Sequence, residues 1–122
     1  MSTVNEVIEE LSLVAKKIRQ IEGEAKNILN DQSNIDRYRE LMREKAMLLF
    51  HLPESIAGLM SSLEHKIALK LKNQIGAFSF SAGKALDLNS VFYMSALLYP
   101  EDYVDGGNND LESYIIELEN CR

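Results

Sequence analysis

The sequence predicts an all-α fold: an antiparallel helical hairpin extended to a small four- to five-helix bundle that closes by oligomerising. Three observations predict it. First, apolar residues recur in a 4-3 spacing from Val4 through Val7, Leu11, Val14, Ile18, Ile21 and Ala25 to Ile28. That period places them on one helical stripe. Second, a like pattern starts at Ile35, a few residues later, and a connection that short turns the second helix back along the first. Third, 46% of the 122 residues are hydrophobic and 26% charged, the balance of an ordinary folded chain with one modest core. The expected organisation is one helical domain over 1–122. It divides into helix 1 with its turn (1–33), a long helix kinked at Pro53 (34–75), and shorter helices with an acidic loop (76–122).

Helix 1 opens on Thr3 and Glu6, a capping-box pair in which hydroxyl and carboxylate each accept a backbone N–H. Ile8, Ala15 and Leu29 widen its stripe beyond a two-stranded seam, so it needs more than one neighbour. Gly23 faces outward. Asn30-Asp31-Gln32-Ser33 supplies turn-forming residues, and Ser33 or Asn34 starts helix 2.

The inner stripe of helix 2 is Ile35, Tyr38, Met42, Ala46, Leu49 and Leu52. Pro53 breaks or kinks a helix, since its ring clashes four residues back and it has no N–H. Met42, Leu49, Ile56 and Leu63 nevertheless stay seven apart, which favours a kinked helix to residue 75, with two separate helices as the alternative. Such a helix would run about 63 Å at ~1.5 Å per residue, well past the end of helix 1. Gly76 reads as the left-handed residue closing it. Ala77 to Ser81 alternate apolar and polar but have no second strand to pair with, so they read as loop, continued by Gly83. Asp87 or Asn89 caps a largely buried helix reaching Tyr99 before Pro100. Asn109 with Glu112 caps a last helix built on Leu111, Ile115, Ile116 and Leu118.

The net charge of −6 is uneven: 4 basic against 6 acidic residues in 1–33, 8 against 5 in 34–86, and 1 against 8 in 87–122. An acidic chain is a poor nucleic-acid binder, because phosphates need clustered Lys and Arg. No apolar run approaches the ~18 residues that span a membrane. The N-terminal stretch lacks a signal-peptide layout, and the single cysteine, Cys121, forms no intrachain disulfide. The expected location is the cytoplasm, with no membrane partner.

Chemistry-bearing motifs are sparse. His51 and His65 are the two histidines, and neither stands in an E-x-x-H pair or an H-E-x-x-H motif. Neither is expected to bind a metal, and no cofactor is expected. Glu6-x-x-Glu9 is similar to the first half of the Mg²⁺-binding pattern of all-α nucleotide pyrophosphohydrolases. The second half is missing, because Glu40 is followed at +3 by Arg43. Asp36, Glu40 and Glu44 form an acidic row beside Arg39 and Arg43, which reads as i, i+3 pairing on a solvated face. Lys66, Lys70, Lys72 and Lys84 make the best basic patch, without the interleaved aromatics that stack on single strands. Asp102, Asp105, Asn108, Asn109 and Asp110 crowd one loop, but not in EF-hand order.

The expected function is therefore a helical protein–protein interaction or assembly module acting by helix–helix packing. A metal-dependent nucleotide-hydrolase-like enzyme and a nucleic-acid accessory protein using the Lys66–Lys84 face are the alternatives. If the 34–75 helix is continuous, Ile56, Leu59, Leu63, Ile67, Leu71 and Ile75 lie beyond the reach of helix 1. An apolar stripe of that size marks an interface, here expected to be that of a homodimer.

Overall fold

Helix α1 (Val4–Asn27) runs into a π-helical turn (Ile28–Gln32), and helix α2 (Ile35–Phe50) returns alongside it. The computed structural model describes residues 4–32 and 34–121. The expected caps at Thr3 and Ser33 therefore lie outside the described residues. The other helices are α3 (Leu52–Met60), α4 (His65–Asp87), α5 (Val91–Ala96) and α6 (Asp110–Cys121). The fold is all-α, with no strand among the described residues.

The α1 stripe packs as its period requires: Val7, Leu11, Val14, Ile18, Ala25 and Ile28 are buried, with Ile8 and Ala15 beside them. Leu29 is exposed. Asn34 caps α2, its side-chain oxygen accepting from the Arg37 N–H.

The 34–75 segment is not one helix. It breaks first at His51, where α2 ends and α3 starts, with Pro53 in the first turn of α3. A proline there loses nothing, since first-turn amides have no intrahelical acceptor. It breaks again at residues 61–64, which reverse the chain. The change from sevenfold to fourfold apolar spacing after Leu63 is the sequence trace of that reversal.

Helix α4 returns antiparallel to α2: the Ser79 hydroxyl donates to the Phe50 carbonyl (2.7 Å), and Arg43 donates to the Asn89 side chain (3.4 Å). It continues through Gly76, residues 77–81 and Gly83, all expected to be loop. Leu71, Ile75, Phe78, Ala82 and Ala85 are its buried face, spaced 4-3-4-3, so the alternation at 77–81 lies inside an amphipathic helix. Gly83 sits where α4 approaches α2 closely. A Cβ there would come 3.1 Å from the Phe50 ring.

This return removes the premise of the expected interface. Ile56, Leu71 and Ile75 are buried within the chain, while Leu59 and Leu63 are partly buried against the same core and Ile67 is half-buried. The stripe is split between α3 and α4, which pack on each other, so its length no longer argues for a second chain over residues 56–75.

Helix α5 is shorter and more exposed than its composition suggests. Ser90 caps it, rather than Asp87 or Asn89, by accepting from the Tyr93 N–H. Met94 is buried, but Phe92 is 74% exposed. Asn89 and Leu98 on either side have positive φ (49° and 76°), a region side-chain-bearing residues rarely enter. Helix α6 packs on α1 and begins with the expected box: Asn109 Oδ1 accepts from the Glu112 N–H, and Glu112 Oε1 from the Asn109 N–H, both at 2.9 Å.

Candidate functional site

Helix α4 covers one side of α2 and α6 covers one side of α1, leaving an open groove between the two on the remaining side. It holds about 840 Å³, floored by Val14, Ile21, Met47 and Leu48. A second depression of about 490 Å³ shares Val14, Lys17, Leu48 and Ser55 with it and carries the groove on to Leu13 and Glu10. Leu13 is 58% and Met47 39% exposed. Both lie on helices whose opposite faces are buried.

The two ends of the groove differ in charge. Near the α1–α2 turn, Arg37 lies 3.2 Å from Glu24, 3.0 Å from Glu40 and 4.0 Å from Glu44. One guanidinium thus faces three carboxylates. This is not the expected pairing of Asp36 with Arg39 and Glu40 with Arg43. At the far end stand Lys16 and Lys17, both exposed, with Glu10. Among the described residues neither lysine has a carboxylate within 4.0 Å.

On the covered side lies a buried polar network that sequence reasoning missed. Lys45 is 0% exposed. Its Nζ is 3.0 Å from Glu22 Oε2, donates to the Ser95 carbonyl (3.0 Å) and sits 4.9 Å from the Tyr99 ring centre. Burial pulls its pKa below the ordinary lysine value, and the Glu22 charge opposes that pull. The Tyr99 hydroxyl donates to Glu22 Oε1 at 2.6 Å and accepts from Arg19 at 3.3 Å. Arg19 grips Glu112 with two hydrogen bonds, Nε to Oε2 (3.0 Å) and Nη2 to Oε1 (2.7 Å), and also donates to the Gly107 carbonyl. Two cations meet two carboxylates, so the network is neutral and ties α1 to α2, to the loop after α5 and to α6. The sequence signal for Lys45 was its place between Leu41 and Leu49, four residues from each, on the buried face of α2.

The other sequence candidates stay apart. His51 is half-buried, its Nδ1 3.3 Å from Glu54, while His65 is exposed at the start of α4. Glu9 and Glu10 are separated from Glu24, at the acidic end of the groove, by about 20 Å of helix α1, at ~1.5 Å per residue. No three His, Cys, Asp or Glu side chains converge on a metal position among the described residues. Lys66, Lys70 and Lys72 are exposed on the first half of α4, and Lys84 lies in its last turn above the Phe80 ring. In the acidic loop, Asn109 caps α6 through its Oδ1, and Gly106 takes the positive φ (87°) of its turn. Burial raises the Asp110 pKa, with the Asp102 charge adding to it.

No protein-family model, no curated protein and no solved structure matches this chain. Among the described residues no helix is long and apolar enough to cross a membrane.

Proposed function

We propose that this chain is a helical protein–protein interaction module whose working surface is the groove between α1 and α2. The observation that supports it is the open apolar floor of Val14, Ile21, Met47 and Leu48, in a cleft of about 840 Å³. Two roughly antiparallel helices with an apolar seam and a charged rim make a seat for a further helix, which would bury its own apolar stripe there. Burying a Leu or Met side chain that now faces water stabilises a complex by ~1.5–3 kcal/mol, so Leu13 and Met47 are the natural anchors.

The test uses purified protein at sparse surface density and a display library of amphipathic helices. Binders that cross-link to α1 and α2 and release on Met47→Glu are the expected result. A library yielding no binder sensitive to Met47→Glu would reject the reading.

A further inference from the structure

We propose that the natural occupant of this groove is a second copy of the chain, docked antiparallel about a twofold axis crossing the groove near Gln20. This rests on the reading of the groove as a docking surface and names its partner. The argument is charge layout. At one end three carboxylates, Glu24, Glu40 and Glu44, stand with two guanidiniums, Arg37 and Arg43, an excess of one negative charge. At the other end Lys16 and Lys17 stand with Glu10, an excess of one positive charge, and neither lysine has a carboxylate within 4.0 Å among the described residues.

A twofold interface is isologous, so each end of one groove meets the opposite end of the other. With the axis near Gln20, midway between Lys17 and Glu24, Lys17 of one copy faces Glu24 of the other, and the reverse. Met47 lies between the two ends, since Glu40 and Glu44 precede it and Ser55 follows it on the groove's wall. Its exposed side chain would then meet the copy's apolar floor. A parallel arrangement would set acidic end on acidic end, and like charges face to face are costly. A uniformly acidic or basic partner helix would satisfy one end and repel the other. A copy of the same groove satisfies both. The dimer thus survives as a proposal but moves from residues 56–75 to the opposite side of the hairpin.

Two charge-reversed proteins test it: Glu24→Lys with Glu44→Lys, and Lys16→Glu with Lys17→Glu. The unaltered protein should sediment at twice its 13.8 kDa chain mass. Each reversed protein alone should self-associate about tenfold more weakly, because several facing charge pairs change sign together. Mixing the two reversed proteins should restore a heterodimer of unaltered strength. If the Glu24/Glu44 protein fails a helicity check by circular dichroism, the Lys16/Lys17 protein decides alone, since those side chains hold no ion pair within the chain. A monomeric unaltered protein overturns the proposal, as does a dimer indifferent to the reversals. A monomer that still binds library helices in the groove leaves the docking reading standing and rejects the copy as its occupant.

Discussion

Lys45 and Glu22 behave as a unit, because each is the other's reason to be charged below the surface. Removing one partner of a buried ion pair strands the other and costs about 3–5 kcal/mol. Lys45→Ala should therefore lower stability by about that amount in urea unfolding, since Lys45 is fully buried against Glu22 at 3.0 Å. A loss within ~0.5 kcal/mol, ordinary for surface residues, would show that the pair is solvated. The Arg19–Glu112 pair lies nearer to solvent, with side-chain exposures of 39% and 24%. Its Arg19 hydrogen bonds hold the Glu112 carboxyl below the usual glutamate range. A carboxyl depressed on folding adds stability that is complete above its unfolded pKa, about 4.3, and is lost as pH falls through the lower folded value. Glu112→Gln should cost roughly 1 kcal/mol at neutral pH, allowing for screening, and should flatten the fall in melting temperature below about pH 4. Equal acid slopes in the two proteins would remove Glu112 from the account. Neither pair was legible in the sequence. Charges spaced 93 residues apart meet only after α6 has docked on α1.

Element boundaries were legible where caps and periodicity agreed and misleading where a breaker residue disagreed with the period. The α1 stripe and the Asn109–Glu112 box were readable because both are local: a repeat of seven and a pair three apart. Helix α4 was misread because Gly76 and Gly83 look like terminators, although Leu71, Ile75, Phe78, Ala82 and Ala85 run straight through them in helical register. Pro53 was misread in the other direction, as a kink inside a long helix, when it opens a new one. The turn at 61–64 has no glycine or proline, so the reversal left only a change of apolar spacing. Gly76 offers a test of sign. A Cβ there meets nothing within 4 Å, so inside α4 Gly76→Ala should stabilise by about 1 kcal/mol. At a left-handed helix end the same change would destabilise. A lowered melting temperature would therefore mean that α4 stops at Gly76.

At the scale of the whole molecule, the difference between sequence and structure is which apolar surface remains open. The fold-back at 61–64 turns the apolar surplus along 56–75 into the core shared by α1, α2, α3, α4 and α6, which removes the reason to expect an interface there. The groove was not readable because Val14 and Ile21 belong to the same α1 stripe as the buried core residues, and nothing in the spacing says which part of it stays open. It exists only because α4 and α6 both pack on the far side of the hairpin. The central claim is that self-association runs through this groove and folding through the old stripe, and one measurement separates the two. Light scattering, with circular dichroism on the same samples, would compare Met47→Glu with the double change Leu63→Glu and Ile67→Glu. Met47 is 39% exposed, so its replacement should leave helicity and melting temperature unchanged while the mass falls to 13.8 kDa. Leu63 is packed against the core and Ile67 is half-buried, so the double change should cost the fold itself. A Met47→Glu protein that keeps twice the chain mass, or a folded double variant that dissociates, would contradict the account.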